Sequence, residues 1–288
     1  MKLFFLGTAA SEGYPNAFCD CENCQQARAL GGTSLRKRSA ALINDDLLID
    51  IGPDLMAGAL QHGISLAKLR YCLQTHEHSD HLDPSHFGSR STYCGVYGNP
   101  RLHYFASRGA LQHCSRSLRT DGIVLDTVAD GEVLDLGDKI NLIVHPIQPF
   151  QEFDAGPYHV LSIAANHDPS ITAMLYVIEE AGRVLFYATD TGEIAEESWN
   201  ALKACGRRFN VVALDHTFGF GNRSNGHLNR EQFLEQVARM QQEGLLAEDA
   251  RIYAHHLAHH SNPPHPQLVD YAHAHGYEVA YDGLQVEV

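Results

Sequence analysis

The 288-residue sequence has no apolar run approaching the roughly 20 residues that a bilayer-spanning helix requires. No block rich in lysine and arginine offsets its formal net charge of −14, which disfavours nucleic acid and anionic membrane as partners. Seven cysteines, an odd number in so long a chain, do not make a disulfide framework, and a reducing cytoplasm is the expected location. Low-complexity linkers and short-period repeats are also missing, so one domain over residues 1–288 with inserted loops is preferred to two independent units. The opening Met1-Lys2-Leu3-Phe4-Phe5-Leu6 is too short for a secretory h-region and is broken by Gly7-Thr8-Ala9-Ala10; it reads as a first strand.

What is there is a 44% hydrophobic chain, enough for a sizeable core. Short apolar runs bounded by Gly, Asp, Asn and Pro predict strands at 2–6, 40–43, 47–51, 71–75, 102–105, 140–145, 160–165, 172–178, 184–188, 211–214, 251–254 and 278–281. Phe233, Leu234, Val237 and Met240 form one apolar face of a helix over 230–243, with Asn229 as N-cap and Gly244 as stop. Further helices are expected over 266–275 and 53–62. Alternating strands and helices imply a layered α/β architecture. Residues 84–122 are the least regular and are expected to form an insertion or lid over the site.

The densest chemistry lies in Thr75-His76-Glu77-His78-Ser79-Asp80-His81, directly after the apolar run ending at Gln74. In an extended backbone residues two apart point the same way, so His76 and His78 can converge on one cation while Asp80 and His81 face a second. Imidazole with carboxylate suits zinc, manganese or iron, and paired cations about 3.5–4 Å apart suit displacement at phosphorus or carbonyl carbon. More donors are needed, and strand ends offer them. Asp190 closes the run Val184–Ala188 and is placed to bridge both cations, although alone it also fits a turn or cap. His167 would complete the His76/His78 cation. His256 would complete the Asp80/His81 cation, with His255, His259 and His260 as competing neighbours. Asp50, closing the run before Gly52, could orient a ligand imidazole from behind or simply cap a turn.

Together, His76-x-His78-x-Asp80-His81, His167, Asp190 and His256 resemble the metallo-β-lactamase fold superfamily. The resemblance implies an αββα four-layer sandwich with paired metals at one edge of its two sheets. A second cluster, Cys19-Asp20-Cys21-Glu22-Asn23-Cys24, offers three corners of a closed tetrahedral zinc site in a loop at about 13–26, the fourth corner coming from elsewhere. With the preceding Leu6-Gly7-Thr8-Ala9-Ala10-Ser11, this Cys-x-Cys-x-x-Cys is similar to a narrower branch of the superfamily. That branch holds the cyclic-phosphate phosphodiesterases of the carbon–phosphorus lyase pathway and the B proteins of pyrroloquinoline quinone biosynthesis. The intact His/Asp motif places this chain nearer the first.

By that resemblance, the His three residues after the last catalytic His completes the structural zinc. The spacing His256-Leu257-Ala258-His259 therefore gives His256 to the active site and His259 to the zinc, with His255 and His260 as bystanders. The resemblance also picks out Asp215-His216-Thr217 and the Gly-rich loop 219–226 leading to His227, a residue matching a family His that contacts phosphate or protonates the leaving oxygen. The implied protein is a dinuclear hydrolase that opens a small ribosyl cyclic phosphate with water activated between two divalent cations. It would need two active-site cations (zinc, manganese or iron), one structural zinc, Asp80 and His227 in catalysis, and a small phosphorylated substrate; a homodimer is left open. Nuclease, thioesterase, lactonase and iron-oxidoreductase chemistries share the ligand set, as does a non-catalytic carrier role. The section 84–165 diverges from the phosphodiesterases, so substrate recognition does not transfer.

Overall fold

A computed structural model gives the structure of residues 1–288 apart from Thr120, Asp121, Val124, Asp126, Thr127, Asp130, Asp138 and Lys139. In chain order the described residues form β1 (Lys2–Gly7), α1 (Glu22–Leu30), β2 (Ala40–Ile43), β3 (Leu47–Ile49), α2 (Leu55–Gln61), β4 (Tyr71–Leu73), α3 (Ser85–Ser89), β5 (Leu102–Ala106), α4 (Arg108–Leu118), β6 (Leu134–Asp135) and β7 (Leu142–Pro146). The second half continues with β8 (Glu152–Ala155), β9 (Tyr158–Ala164), β10 (Met174–Glu180), β11 (Arg183–Ala188), α5 (Glu196–Ala204), β12 (Phe209–Asp215), α6 (Arg230–Gln242), β13 (Leu246–His255), α7 (His265–Ala274), β14 (Glu278–Val279) and β15 (Gln285–Glu287).

The strands make an eight-stranded sheet, order β15-β1-β2-β3-β4-β5-β7-β6, and a seven-stranded sheet, order β14-β13-β12-β11-β10-β9-β8. Period-two alternation explains the packing. Val211 and Ala213 of β12 join Leu3, Ile43, Ile49, Leu73, Tyr176 and Tyr187 between the sheets, while Val212 and Leu214 face outward onto Trp199, Phe233 and Leu268 of α5, α6 and α7. On the other outer face, Leu42, Leu48 and Tyr104 pack against Leu55, Phe87, Leu111 and Leu118 of α2, α3 and α4. These layers are the αββα sandwich expected from sequence.

Each expected strand falls on an observed one, with ends shifted by up to a few residues. The helix expected over 230–243 is α6; Asn229 accepts from the Gln232 amide, the Gln232 side chain caps back, and Gly244 follows at φ 69°. Residues 84–122, expected as an insertion or lid, are more regular than the sequence suggests: β5 is hydrogen-bonded between β4 and β7, and α3 and α4 cover the first sheet, while Thr120 and Asp121 lie outside the described residues.

Candidate metal centre

Strands β3 and β4 run parallel, as do β11, β12 and β13, and β9 shares the direction of β11 because both are antiparallel to β10. The loops after these strands bring Asp50, residues 76–81, His167, Asp190, Asp215 and His256 to one edge of the sandwich. Asp50, Asp190 and His256 adopt left-handed backbone, with φ of 65°, 59° and 60°. Such conformations cost about 1–3 kcal/mol each and persist where surrounding structure fixes them.

The donor atoms form two groups sharing one carboxylate. In the first, His78 Nδ1 lies 3.0 Å from His76 Nε2 and 3.1 Å from His167 Nε2, and Asp190 Oδ2 is 3.2 Å from His76 Nε2. In the second, His81 Nε2 is 3.2 Å from Asp80 Oδ2 and 3.3 Å from His256 Nε2, and the same Asp190 Oδ2 is 3.0 Å from His81 Nε2. Within each group all donors lie within 4.8 Å of one another. Metal–donor bonds of about 2.0–2.2 Å place ligand atoms at roughly these mutual spacings.

The hydrogen bonds behind the imidazoles test whether a cation fits. His81 Nδ1 donates to Asp50 Oδ2 at 2.6 Å, and His167 Nδ1 donates to Gly226 O at 3.1 Å. Thr75 Oγ1 donates to Asp50 and so accepts from His76 Nδ1 at 2.9 Å; Thr217 Oγ1 donates to Asp215 Oδ2 and accepts from His256 Nδ1 at 2.9 Å. With their Nδ1 protons thus engaged, His76, His81, His167 and His256 turn Nε2 inward, where its lone pair can take a cation or a proton. Lone pairs facing each other at 3.3 Å, as in His81 and His256, repel unless positive charge lies between them. The buried Asp190 Oδ1 accepts no hydrogen bond, although His256 Nδ1 is 2.8 Å away. This donor set fits divalent cations.

Electrostatics agree. Burial pushes the His256 imidazole down, but Asp190 and Asp80 outweigh it and hold the group at about 10. His81 is likewise raised by Asp80, Asp190 and Asp50 against its burial. Burial alone would raise the Asp80 and Asp190 carboxyls, yet the facing imidazoles hold both well below the usual range. The cluster draws in positive charge, and cation binding there would displace protons.

His227 stands over the join. Its Nδ1 donates to Asp215 Oδ2 at 2.9 Å, its ring lies 4.9 Å from that of His167, and it stacks at 5.8 Å on His256. Burial lowers its pKa, but the Asp215 carboxylate raises it more. His255 is not a surface residue: fully buried, it bonds Thr189 Oγ1 at 2.9 Å and donates to Gly7 O at 3.2 Å, tying the two sheets together. His260 is half-exposed and belongs to neither group.

Sequence reasoning missed Gln74 and gave Thr75 and Thr217 no role. The Gln74 amide donates to Asp50 Oδ1, His76 O and His81 O at 2.9, 2.9 and 3.0 Å, holding the 76–81 loop in shape. Asp215 was picked out without a role; it carries both His227 and Thr217. A hydroxyl residue at a strand end beside a ligand His was the available signal.

A separate donor group joins Cys19, Cys21, Cys24 and His259, with all donors within 4.8 Å. Cys21 Sγ is 3.6 Å from His259 Nδ1. Cys21 is the N-cap of α1, and although burial raises its thiol, the Cys24 amide and His259 hold it at about 6, a thiolate suited to zinc. His256 and His259 flank one turn, so the loop that ends the first site begins the second.

A family model described as the beta-lactamase superfamily domain matches residues 46–256, which spans both donor groups of the metal centre. The chain belongs to this superfamily. No curated protein matches it in sequence. Among solved structures, a new diphosphatase from the PhnP family is 20% identical with a TM-score of 0.74, over 100% of this chain and 97% of its own. Zn(2+)-bound PqqB from Methylobacterium extorquens is 20% identical with a TM-score of 0.71, covering 100% of both chains. Human tRNase Z, short form, is 14% identical with a TM-score of 0.65, over 100% of this chain and 99% of its own. At these identities the likeness is one of fold. As a metallo-β-lactamase-fold member, the chain joins that sandwich to a His/Asp cluster able to hold metal. Among the described residues, no helix is long and apolar enough to cross a membrane.

Proposed function

We propose that this superfamily member is a dinuclear metal-dependent phosphodiesterase acting on a small cyclic phosphate. The observation that carries the reading is the single Asp190 oxygen lying 3.2 Å from His76 Nε2 and 3.0 Å from His81 Nε2, the position of a bridge between neighbouring cations. His76, His78 and His167 would hold one cation and Asp80, His81 and His256 the other. Two divalent ions so held supply Lewis acidity at phosphorus and lower the pKa of water from 15.7 to about 7. The protein's own parts do the rest. Thr75, Thr217 and Asp50 fix the ligand tautomers. Asp215 orients His227 and favours its imidazolium, from which a proton can pass to the departing oxygen. Cys19, Cys21, Cys24 and His259 would hold a structural zinc. The formal charge of −14 supports a small substrate over a polynucleotide.

The test is a hydrolysis screen with zinc and with manganese over ribosyl cyclic phosphates, linear phosphodiesters, diphosphate-linked compounds, thioesters and lactones. Cyclic phosphodiester hydrolysis is expected to dominate, and Asp190→Ala to abolish it. Preferential turnover of a thioester or lactone, or wild-type activity in the Asp190 variant, overturns the reading.

A further inference from the structure

Away from the metal centre, a cavity of about 420 Å³ opens between α2 and α3. Its body is apolar, formed by Leu55, Ala59, Ile64, Leu66 and Leu69. Met56 and Leu60 stand at its wall, 48% and 84% exposed. Of the polar side chains that line the same space, His86 and Arg90 stand four residues apart on one face of α3 and its C-cap.

Neither is satisfied. His86 is only 8% exposed and its Nε2 donates to Gly52 O at 3.0 Å, so the proton sits on Nε2 and Nδ1 presents a bare, unpartnered lone pair. Arg90 donates from Nη2 to Pro100 O at 2.9 Å, but among the described residues its buried Nε–H has no acceptor and no carboxylate pairs with the guanidinium. Burial lowers the Arg90 pKa, and the Cys72 thiol acts the other way. A partly desolvated cation without a counter-ion is costly to keep, and an orphan donor and acceptor beside an apolar chamber mark the head-group end of a ligand site.

We propose that this cavity binds a small amphipathic monocarboxylate, an aliphatic or aromatic acid whose body lies among Leu55, Ala59 and Leu66. The carboxylate pairs with the Arg90 guanidinium at the polar end of the cavity, beside His86. The positive charge of Arg90 selects a carboxylic acid over an alcohol of equal length. Nothing in this assignment depends on the reaction at the metal centre.

Octanoate is the probe, titrated into the full-length, metal-loaded protein carrying [¹³C-methyl]methionine. The four methionines include Met56 at the cavity, while Met174 donates its amide to Thr75 O beside the metal ligands, so the two locations report separately. Saturable movement of the Met56 methyl signal with Met174 still is expected. Octan-1-ol should bind about tenfold more weakly or worse, and Arg90→Met should weaken octanoate by a similar factor. Ala59→Phe, which fills the apolar end and spares the head group, should abolish binding; if either variant fails to fold, the octanol comparison on the unaltered protein decides. A stationary Met56 signal, equal binding of octanol, or movement of Met174 alone overturns the proposal. So does a dimer of the unaltered protein that Leu60→Glu dissociates, which would give this face to a second copy.

Discussion

At the scale of the residue, the centre depends as much on what stands behind the ligands as on the ligands. Asp50 accepts from His81 Nδ1, Thr75 and Gln74, so it fixes an imidazole and the loop carrying it. Loss of such a partner typically lowers metal affinity by about 10–100-fold. Asp50→Asn is expected to show a loss of that size in chelator competition, with the fold intact by circular dichroism. His227 stands outside the His76/His78/His167 and Asp80/His81/His256 groups, although it also lies with Asp190, Asp215 and His256 in a further donor group. It is a proton donor held by Asp215, so His227→Asn should retain the metal content while kcat falls by about 10²–10⁴, the range for a lost general acid. Metal loss in that variant would instead make His227 a ligand. The candidate donors were legible because side-chain chemistry and alternation declare themselves in six residues; the parts of Thr75, Thr217 and Gln74 were not, since a hydroxyl or amide acquires its meaning only from the groups it touches.

At the scale of the element, strands were legible and several helices were not. The strand runs are continuous and apolar because β12 and its neighbours are covered on both faces. In contrast α4 shows Ala110, Leu111, Cys114 and Leu118 on one face behind the N-cap Ser107, a pattern hidden by the Gly and His that interrupt it. Helix α1 is polar, and its buried Cys24 serves the thiolate cluster, so hydrophobic periodicity could not announce it. That cluster joins the start of α1 to the turn after β13. Cys21→Ser is therefore expected to lose the zinc of this site alone, measured by elemental analysis, and to make residues 13–26 protease-sensitive while the His/Asp centre keeps its cations. Retention of full zinc would remove Cys21 from the ligand set.

At the scale of the whole molecule, buried imidazoles couple stability to pH. Burial holds His145, His216 and His265 each at about 4, so they fold neutral and the unfolded chain binds their protons first. Their contribution is present above about 6.5 and lost as pH falls toward 4. Asp282 acts in reverse: burial raises it to about 6 despite its hydrogen bonds with Lys37 N and Thr8 and the nearby Arg36, so its contribution is greatest in acid and is lost as pH rises through 6. Three bases outweigh one acid. Calorimetry of metal-stripped protein should show the melting temperature falling from pH 6.5 to 4, and falling more steeply in Asp282→Asn; a flat profile would refute this account.

By itself the sequence determined the layered α/β class, the strand runs and the residue types of both metal-ligand clusters, because periodicity and donor chemistry are local properties of a chain. Only the tertiary structure decided which histidines meet. His255 and His256 are neighbours in sequence, yet the left-handed backbone at His256 turns its ring into the donor cluster while His255 packs between the sheets. Asp190, a candidate bridge already in the sequence, came within reach of both His76 and His81, and Asp215 became a support for both Thr217 and His227, through convergence of parallel strand ends. Such convergence is set by packing over distances that no local pattern encodes.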